Sequence, residues 1–267
     1  MIRDVTLGQY FPAKSIFHRL DARMKIVILT VIMIMIFCTF SYTALVATAS
    51  GIIAMVLMSG VPFKLYLKSL KTIIFIVIFT SLLNLFYGTG EPIWQYGILS
   101  ITANGIRNSI FIVVRIISLI LVSSILTFTT SPTDLTDAIE SLLKPLTIFH
   151  IKVHETAMMM TIALRFIPTL LEETDKIMQA QKARGADIES GGVISRIKAL
   201  VPILIPLFVS AFRRAYELAT AMECRCYHGG NGRTRMKGLK LQTLDFVSLS
   251  IVIVFIVVVI LCNIFCP

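Results

Sequence analysis

Two arginines flanked by small residues are the side chains whose type and spacing point most clearly to chemistry with a partner. Arg184 and Arg225 lie 41 residues apart, and each ends a long amphipathic stretch. The flanking residues are Ala183 and Gly185 at the first arginine and Cys224 and Cys226 at the second. The two stretches run from Glu155 to Gly185 and from Ser195 to Cys226. A guanidinium is a permanently charged, planar fork that pairs bidentately with a carboxylate, and small neighbours leave it free to enter a groove.

A purely structural role at a helix end is the alternative for both arginines. A cation is favourable there because the helix C-terminus carries partial negative charge, and a glycine such as Gly185 commonly ends a helix. Recurrence of the same arrangement at the end of a second stretch favours the binding role. As helices, the stretches would each be roughly 45 Å long at ~1.5 Å per residue, so we interpret them as rigid rods with charged tips.

Motifs for the chemistry of enzymes and ATPases are missing from the sequence. The phosphate-binding pattern G-x-x-x-x-G-K-[ST] does not occur, and the glycine-rich segment 229–232 lacks its lysine and a preceding predicted strand. His154 and Glu155 have no second histidine four residues after the first, which excludes the zinc-peptidase motif. The five cysteines include no C-x-x-C pair and indicate neither a disulfide framework nor a zinc site. We therefore predict no catalytic residue, metal or cofactor.

The composition indicates an integral membrane protein. The 267 residues are 56% hydrophobic and 15% charged, with a mean hydropathy of +0.85, whereas about a quarter of a soluble domain is charged. The net charge of +10 does not require nucleic acid as a partner, because most lysines and arginines fall in segments that can lie on one side of a bilayer.

Long uncharged runs predict five transmembrane helices. Residues 26–60 carry no charge and are too long for one span, so a break near residues 41–43 would divide them into two. A loop made basic by Lys64, Lys68 and Lys71 follows and is placed in the cytoplasm. The remaining spans are predicted at 72–87, 106–128 and 246–265, with the segment 88–105 outside. This topology leaves the N-terminus inside and the C-terminus outside.

Arg115 is an ionisable residue within the fourth predicted span, which makes it a functional candidate by default. The alternative is that its side chain reaches outward to the interface or pairs with Glu91 in the outer segment. The predicted spans contain no Asp, Glu or His, so they lack the usual groups of a proton-coupled or sodium-coupled carrier.

Residues 129–245 must position the two arginine tips. They hold 15 of the 25 Lys and Arg residues and 12 of the 15 acidic residues. Ser131–Asp134 predicts a helix start with proline in the first turn, and that helix should end before Pro145. Neither long stretch suits a membrane crossing, because Arg165 interrupts the apolar run of the first and cations bracket the short run 199–212 of the second. We expect both stretches at or just below the inner membrane surface.

The predicted fold is thus all-α, with a large cytoplasmic insertion between the fourth and fifth spans. A membrane domain of four spans takes residues 1–128, a cytoplasmic helical domain takes 129–245, and a closing transmembrane helix takes 246–267. Prolines are expected to kink the long helices, at Pro168 in the first and at Pro202 and Pro206 in the second.

Several of these motifs resemble the T component of energy-coupling factor transporters, which are ABC-type importers of vitamins and some metal ions. The resemblance lies in the two arginine tripeptides and in Thr130–Pro132, Leu164–Pro168, Gly232–Arg235 and the early segment Leu20–Lys25. It runs over nearly the whole chain and is densest from Thr129 to Lys240. The sequence departs from the family pattern at Cys224 and Cys226, where alanine and glycine are usual, and at Ala22, where proline is common.

The resemblance implies a non-catalytic coupling subunit in the cell membrane. In that family the tip arginines, here Arg184 and Arg225 with their small neighbours, each dock in a groove of one of two ATP-binding subunits. A small membrane-embedded substrate-binding subunit, the S component, is also implied, and its reorientation would release a vitamin or other micronutrient into the cell. The residues that we expect at the interface with the S component are Met158, Met159, Met160, Phe166, Pro168, Pro202 and Pro206.

Methionine suits adaptable surfaces, although ordinary packing is the alternative for the three methionines. Two other function classes also stay open. A self-sufficient carrier or channel would move solute when reconstituted alone. A membrane enzyme would need clustered acids, histidines or metal ligands, which the sequence does not offer.

Overall fold

The computed structural model of the protein describes residues 10–86, 92–96, 99–150, 152–186, 192–229 and 238–265. Its helices are α1 (Ile16–Arg19), α2 (Ala22–Phe37), α3 (Tyr42–Met58), α4 (Phe63–Phe86), α5 (Ala103–Thr129), α6 (Pro132–Leu143), α7 (Val153–Ala183), α8 (Val193–Glu223) and α9 (Thr243–Phe265). A 3-10 helix, Lys144–Phe149, follows α6. An antiparallel hairpin of β1 (Pro92–Tyr96) and β2 (Leu99–Thr102) precedes α5. The predicted all-α membrane class is confirmed, and the hairpin is a small addition to it.

Two compact units make up the chain. The first unit contains residues 8–138 and 239–267, and the second unit contains residues 139–238. The boundary at 138 and 139 falls within α6. The division into three domains along the sequence stays a prediction.

Three of the described helices, α4, α5 and α9, are long and apolar enough to cross a membrane. The apolar helices α2 and α3 have 16 and 17 residues. At ~1.5 Å per residue they are each about 25 Å long, somewhat less than the ~30 Å hydrocarbon core. In the part of the chain that the structure describes, α7 and α8 do not reach the apolarity of a span, although each has 31 residues. The count of five spans stays a prediction.

The helix boundaries confirm one expectation and correct another. The predicted break in the first apolar run is present just before residue 42, since α2 ends at Phe37 and α3 begins at Tyr42. The predicted basic loop is wrong, because α4 already begins at Phe63. Its first turns carry the three lysines of that segment, Lys64, Lys68 and Lys71. Lysine is a good helix former, and residues spaced by four and three share one helix face, so these charges do not end the helix.

The core of the first unit lies between α2, α3 and α5, with contributions from α4 and α9. Its most buried side chains are Leu29, Ile32, Ile36, Ala44, Ile52, Tyr66, Val122, Ile125, Phe128 and Val259. Gly51 of α3 packs so closely on the ring of Phe255 in α9 that a Cβ at this position would overlap the ring. The close approach that a small residue permits between membrane helices therefore occurs at Gly51.

Polar side chains of α5 and α9 hold the loop between α2 and α3. Arg115 donates from Nη2 to the carbonyl oxygen of Thr39 at 2.9 Å, and Arg107 donates to that of Phe40 at 3.3 Å. Asn263 of α9 accepts from two backbone N–H groups of the loop and donates to one of its carbonyls. Backbone groups in an apolar environment need such partners. Arg115 thus has a structural contact that the sequence did not predict, while Glu91 lies outside the described residues.

Candidate functional site

Helices α7 and α8 lie side by side and antiparallel. From one polar contact between the helices to the next, the residue number on the α7 side rises by about as much as the residue number on the α8 side falls. The contacts are Met158 Sδ with Tyr227 Oη at 3.1 Å, Glu173 with Ser210 and Arg214, and Gln181 Nε2 with the carbonyl oxygen of Pro202 at 3.3 Å. The two arginine tips are therefore at opposite ends of the pair. Since Tyr227 is level with Met158, about 26 residues of α7, or roughly 39 Å, separate the tips.

The first tip ends in a Schellman motif. Gly185 has φ of 86° and donates to the carbonyl of Lys182 at 3.0 Å, and Ala186 donates to that of Gln181 at 3.0 Å. These two bonds satisfy carbonyls that the last turn of a helix leaves unpaired. Arg184 is the residue before the turn, so its side chain projects from a backbone that is fixed on both sides.

The second tip ends in the same motif without glycine. Cys226 has φ of 53° and donates to the carbonyl of Glu223 at 2.9 Å, and Tyr227 donates to that of Met222 at 3.1 Å. Arg225 thus occupies the position in this turn that Arg184 occupies in the other. A side chain in the left-handed region costs about 1–2 kcal/mol. The helix stop expected at the second tip therefore forms, with Cys226 carrying the strain that Gly185 avoids.

Both tip arginines are exposed, as are Ala183, Gly185, Cys224 and Cys226 beside them. Within the described residues, neither guanidinium has a side-chain hydrogen bond or a salt bridge. A free, permanently charged fork on a fixed backbone is suited to bidentate pairing with a carboxylate or phosphate of another molecule. No group of three His, Cys, Asp or Glu residues in the described part of the chain could hold a metal ion.

A charged cluster ties the middle of α7 to α8. Glu173 accepts a hydrogen bond from Ser210 and is paired with Arg214 at 3.1 Å. The hydrogen bond from Ser210, followed by that from Arg214, holds the pKa of Glu173 below its usual range. The pair is partly exposed, with 22% of the Glu173 side chain accessible, so it contributes modestly to stability. Its larger effect is to fix the register of the two helices.

The prolines that were predicted to kink the long helices lie inside these helices. Pro168 is within α7, and Pro202 and Pro206 are within α8. Because Pro206 has no N–H, the carbonyl of Pro202 has no donor from its own helix. Gln181 of α7 supplies that donor at 3.3 Å. One proline thus makes a backbone acceptor available to the neighbouring helix, close to the first arginine tip.

Apolar surface remains on both helices. The other residues predicted at the S-component interface differ in exposure: Phe166 lines a groove between α7 and α8, Met158 contacts Tyr227, and Met159 and Met160 are 62% and 45% exposed. On α8 a stripe of six exposed apolar side chains follows the helical repeat: Val201, Leu204, Ile205, Phe208, Val209 and Phe212. A stripe of this kind is expected where a helix packs on an apolar partner.

Comparison with known proteins now assigns the family. Residues 13–236 match the family described as CbiQ, cobalt transport protein. The chain belongs to the CbiQ family. It is 52% identical to the energy-coupling factor transporter transmembrane protein EcfT of Ruminiclostridium cellulolyticum over 98% of each chain. It is 51% identical to EcfT of Thermosediminibacter oceani over 92% of this chain and 93% of the relative, and 47% identical to that of Bacillus subtilis over 90% and 91%.

The predicted resemblance to T components of energy-coupling factor transporters is therefore confirmed for this CbiQ-family chain. Of the segments that carried it, Gly232–Arg235 lies outside the described residues. The residues that join the two long helices, chiefly Glu173, Arg214 and Gln181, were not predicted from the sequence. Pro206 offered the one available signal, since a proline within a helix frees a carbonyl four residues earlier, but it does not show which side chain will reach that carbonyl.

Proposed function

We propose that this CbiQ-family protein is the non-catalytic coupling subunit of a multi-subunit importer. ATP-driven movement of two ATPase subunits would pass through α7 and α8 to a membrane-embedded substrate-binding S component. The observation that carries this proposal is the pair of exposed arginines, Arg184 and Arg225, at matching stops on opposite ends of an antiparallel helix pair. The relatives named energy-coupling factor transporter transmembrane protein support it.

Each arginine would enter a groove on one ATPase subunit and pair with a carboxylate there. Small neighbours, Ala183 and Gly185 at one tip and Cys224 and Cys226 at the other, let the groove close around the guanidinium. Truncating one partner of a buried charge pair in an interface typically costs ~2–5 kcal/mol. Two such contacts on separate tips would hold the subunit on both ATPases at once.

Movement at the tips would be carried by the helices themselves. When the ATPases approach each other on binding ATP, each seated arginine moves with its own subunit. The contacts of Glu173 with Ser210 and Arg214 keep α7 and α8 in register, so that displacement changes how the whole pair is presented to the S component. The prolines inside both helices offer places where they can bend.

The S component would dock on apolar surface of the same pair. The exposed stripe of α8 and the exposed Met159 and Met160 of α7 offer the adaptable apolar contacts that such a partner needs. The cargo would be a vitamin or another micronutrient, and cobalt is the cargo in the description of the family. In this arrangement the N-terminus and the helices α7 and α8 are cytoplasmic, and the C-terminus is outside.

Purification of the tagged chain from its native membranes tests the proposal. We expect two ATP-binding subunits and a small membrane protein to co-purify. In proteoliposomes, the complex should take up its cargo only when ATP is present on the side of the membrane that the ATPases face. The chain reconstituted alone should move nothing. Solute transport by the isolated chain would refute the coupling role and favour a self-sufficient carrier.

A further inference from the structure

Three helix ends meet at the early segment Leu20–Lys25, to which the coupling role assigns nothing. A charged side chain lies at each of these ends, and its sign is the one that the helix dipole favours there. The ends are the N-terminus of α2, the C-terminus of α5 and the N-terminus of α9. These side chains are Asp21, Lys25 and Asp245, and all three are buried, with 8%, 3% and 1% exposure. Charged groups that are buried so close together need specific hydrogen-bond or ion-pair partners.

Lys25 caps the end of α5. Its Nζ donates to the carbonyl oxygen of Thr129, the last residue of α5, at 2.8 Å and to Oγ1 of Thr130 at 3.1 Å. Thr130 is the extended residue at which the chain leaves α5, with φ of −126° and ψ of 130°. Ser131 then caps α6 by accepting from the N–H of Asp134 at 3.1 Å. The ammonium group therefore donates to one backbone oxygen and one side-chain oxygen of the turn between α5 and α6. We call these two hydrogen bonds the grip on the turn.

The two carboxylates join the helix starts beside Lys25. Asp245 accepts from the N–H of Asp21 at 2.8 Å and from that of Gln242 at 2.7 Å, so it joins the starts of α2 and α9. Asp21 caps α2 through the N–H of Arg23 at 2.9 Å and is paired with the Arg23 guanidinium at 3.0 Å. The same guanidinium donates to the carbonyl of Leu239 at 2.9 Å, on the segment that leads into α9.

We infer that Lys25 is a positioning residue that fixes the direction in which α6 leaves α5. Arg23, Asp21 and Asp245 form the rigid base from which it acts. The chain continues through α6 to the arginine-tipped helices, so the turn at Thr130 is a point through which the proposed movement would pass. The consequence for transport rests on the proposed coupling function, whereas the grip on the turn does not.

Amide hydrogen exchange of the purified complex tests the grip. Lys25→Met keeps the length and apolar stem of the side chain and removes the ammonium group. We expect at least about tenfold faster exchange at residues 130–135, since a lost charged hydrogen bond of ~1.5–3 kcal/mol corresponds to that factor or more. Thr130→Val removes one of the two acceptors in a similar volume and should give a smaller increase at the same amides. Unchanged exchange at 130–135, or an equal increase throughout α3 and α9, would overturn the inference.

Uptake in proteoliposomes tests the consequence. The Lys25→Met complex should retain its ATPases and its ATP hydrolysis, while cargo moved per ATP falls roughly fivefold or more, the usual scale of a coupling free energy. Lys25→Arg, which keeps a permanent cation, should restore much of the uptake. Wild-type uptake per ATP in the methionine variant would overturn the positioning role and leave the coupling function intact. Conversely, ATPases that stay bound after the charge of both tip arginines is reversed would refute the coupling function. The exchange result would still show whether Lys25 holds the turn.

Discussion

At the scale of single residues, the second arginine tip accepts strain that the first avoids. Both helices end in the same two backbone hydrogen bonds, with Gly185 in the left-handed region at one end and Cys226 at the other. Cys226 stands where glycine is usual in the family pattern. The hydrogen bonds of the turn evidently outweigh the conformational cost of a small side chain, and the arginine before it is presented in the same way.

Exchanging the residues of the two turns should have opposite effects on stability. Cys226→Gly relieves the strained φ and should stabilise the protein by about 0.5–1 kcal/mol, while Gly185→Ala should destabilise it by about 1 kcal/mol. A side chain at position 185 would meet no atom of the described residues within 4 Å, so its cost there is conformational. Cys224→Gly, at a right-handed position of the same turn, is the matched control and should destabilise. Thermal unfolding in detergent measures all three, and a destabilising Cys226→Gly would contradict the strain.

Lys25 should give the stability a specific dependence on pH. It lies in the first turn of α2, before the predicted span begins at Ile26. Burial lowers its pKa from 10.5 to about 8, against the opposing charges of Asp134, Asp21 and Asp245. Between these two values the unfolded chain binds more protons than the folded one, so stability rises with pH.

The comparison with Lys25→Met isolates this dependence. From pH 7.5 to pH 9.5, about the range in which the folded group loses its proton, the melting temperature of the wild type should rise relative to that of the variant. A difference between the two proteins that stays constant or changes the other way would show that the Lys25 ammonium is not destabilised by burial.

At the scale of elements, the prolines of α8 organise its contact with α7. Pro206 leaves the carbonyl of Pro202 without a donor, and Gln181 supplies one. The sequence predicted the prolines as kinks and the two helices as rods. It could not predict the pairing, because which side chain reaches a freed carbonyl depends on the relative register of two helices that are far apart in the chain.

A double-mutant cycle tests this pairing. Gln181→Leu should destabilise the protein by about 0.5–1.5 kcal/mol in the wild-type background. In a Pro206→Ala background the restored amide at position 206 can bond the carbonyl of Pro202 within α8, so the same substitution should cost little. Unfolding free energies of the four proteins give the interaction term. Equal costs of Gln181→Leu in both backgrounds would show that the bond to Pro202 does not contribute.

The membrane helices show the same division between what is local and what is not. The break before Tyr42 and the capped start of α6 at Ser131 follow from local signals and were predicted. The start of α4 at Phe63 was not, because lysines suggest a loop by charge although they are good helix formers. The contacts of Arg115 with Thr39 and of Lys25 with Thr129 join residues 76 and 104 apart in the chain, and no local pattern encodes them.

At the scale of the whole molecule, the chain combines a unit of apolar helices with a unit that presents two arginines. The membrane class and the family followed from composition and motifs. The tips followed from a repeated tripeptide. Only the structure revealed which residues fix each tip, join α7 to α8 and hold the turn after α5, because these roles depend on contacts between distant segments. For the coupling role that we propose, the chain would need those contacts to carry movement from two tips that lie roughly 39 Å apart, about 26 residues of helix.

Reversal of both tip charges tests the central claim most directly. Arg184→Glu combined with Arg225→Glu should leave the chain inserted and folded but free of its ATPase subunits when it is purified from native membranes. Arg165→Glu combined with Arg213→Glu is the matched control, because these arginines are exposed on α7 and α8 away from the tips. We predict that the control retains the ATPases at the wild-type ratio. Equal amounts of ATPase on the tip variant and on the wild type would contradict the account.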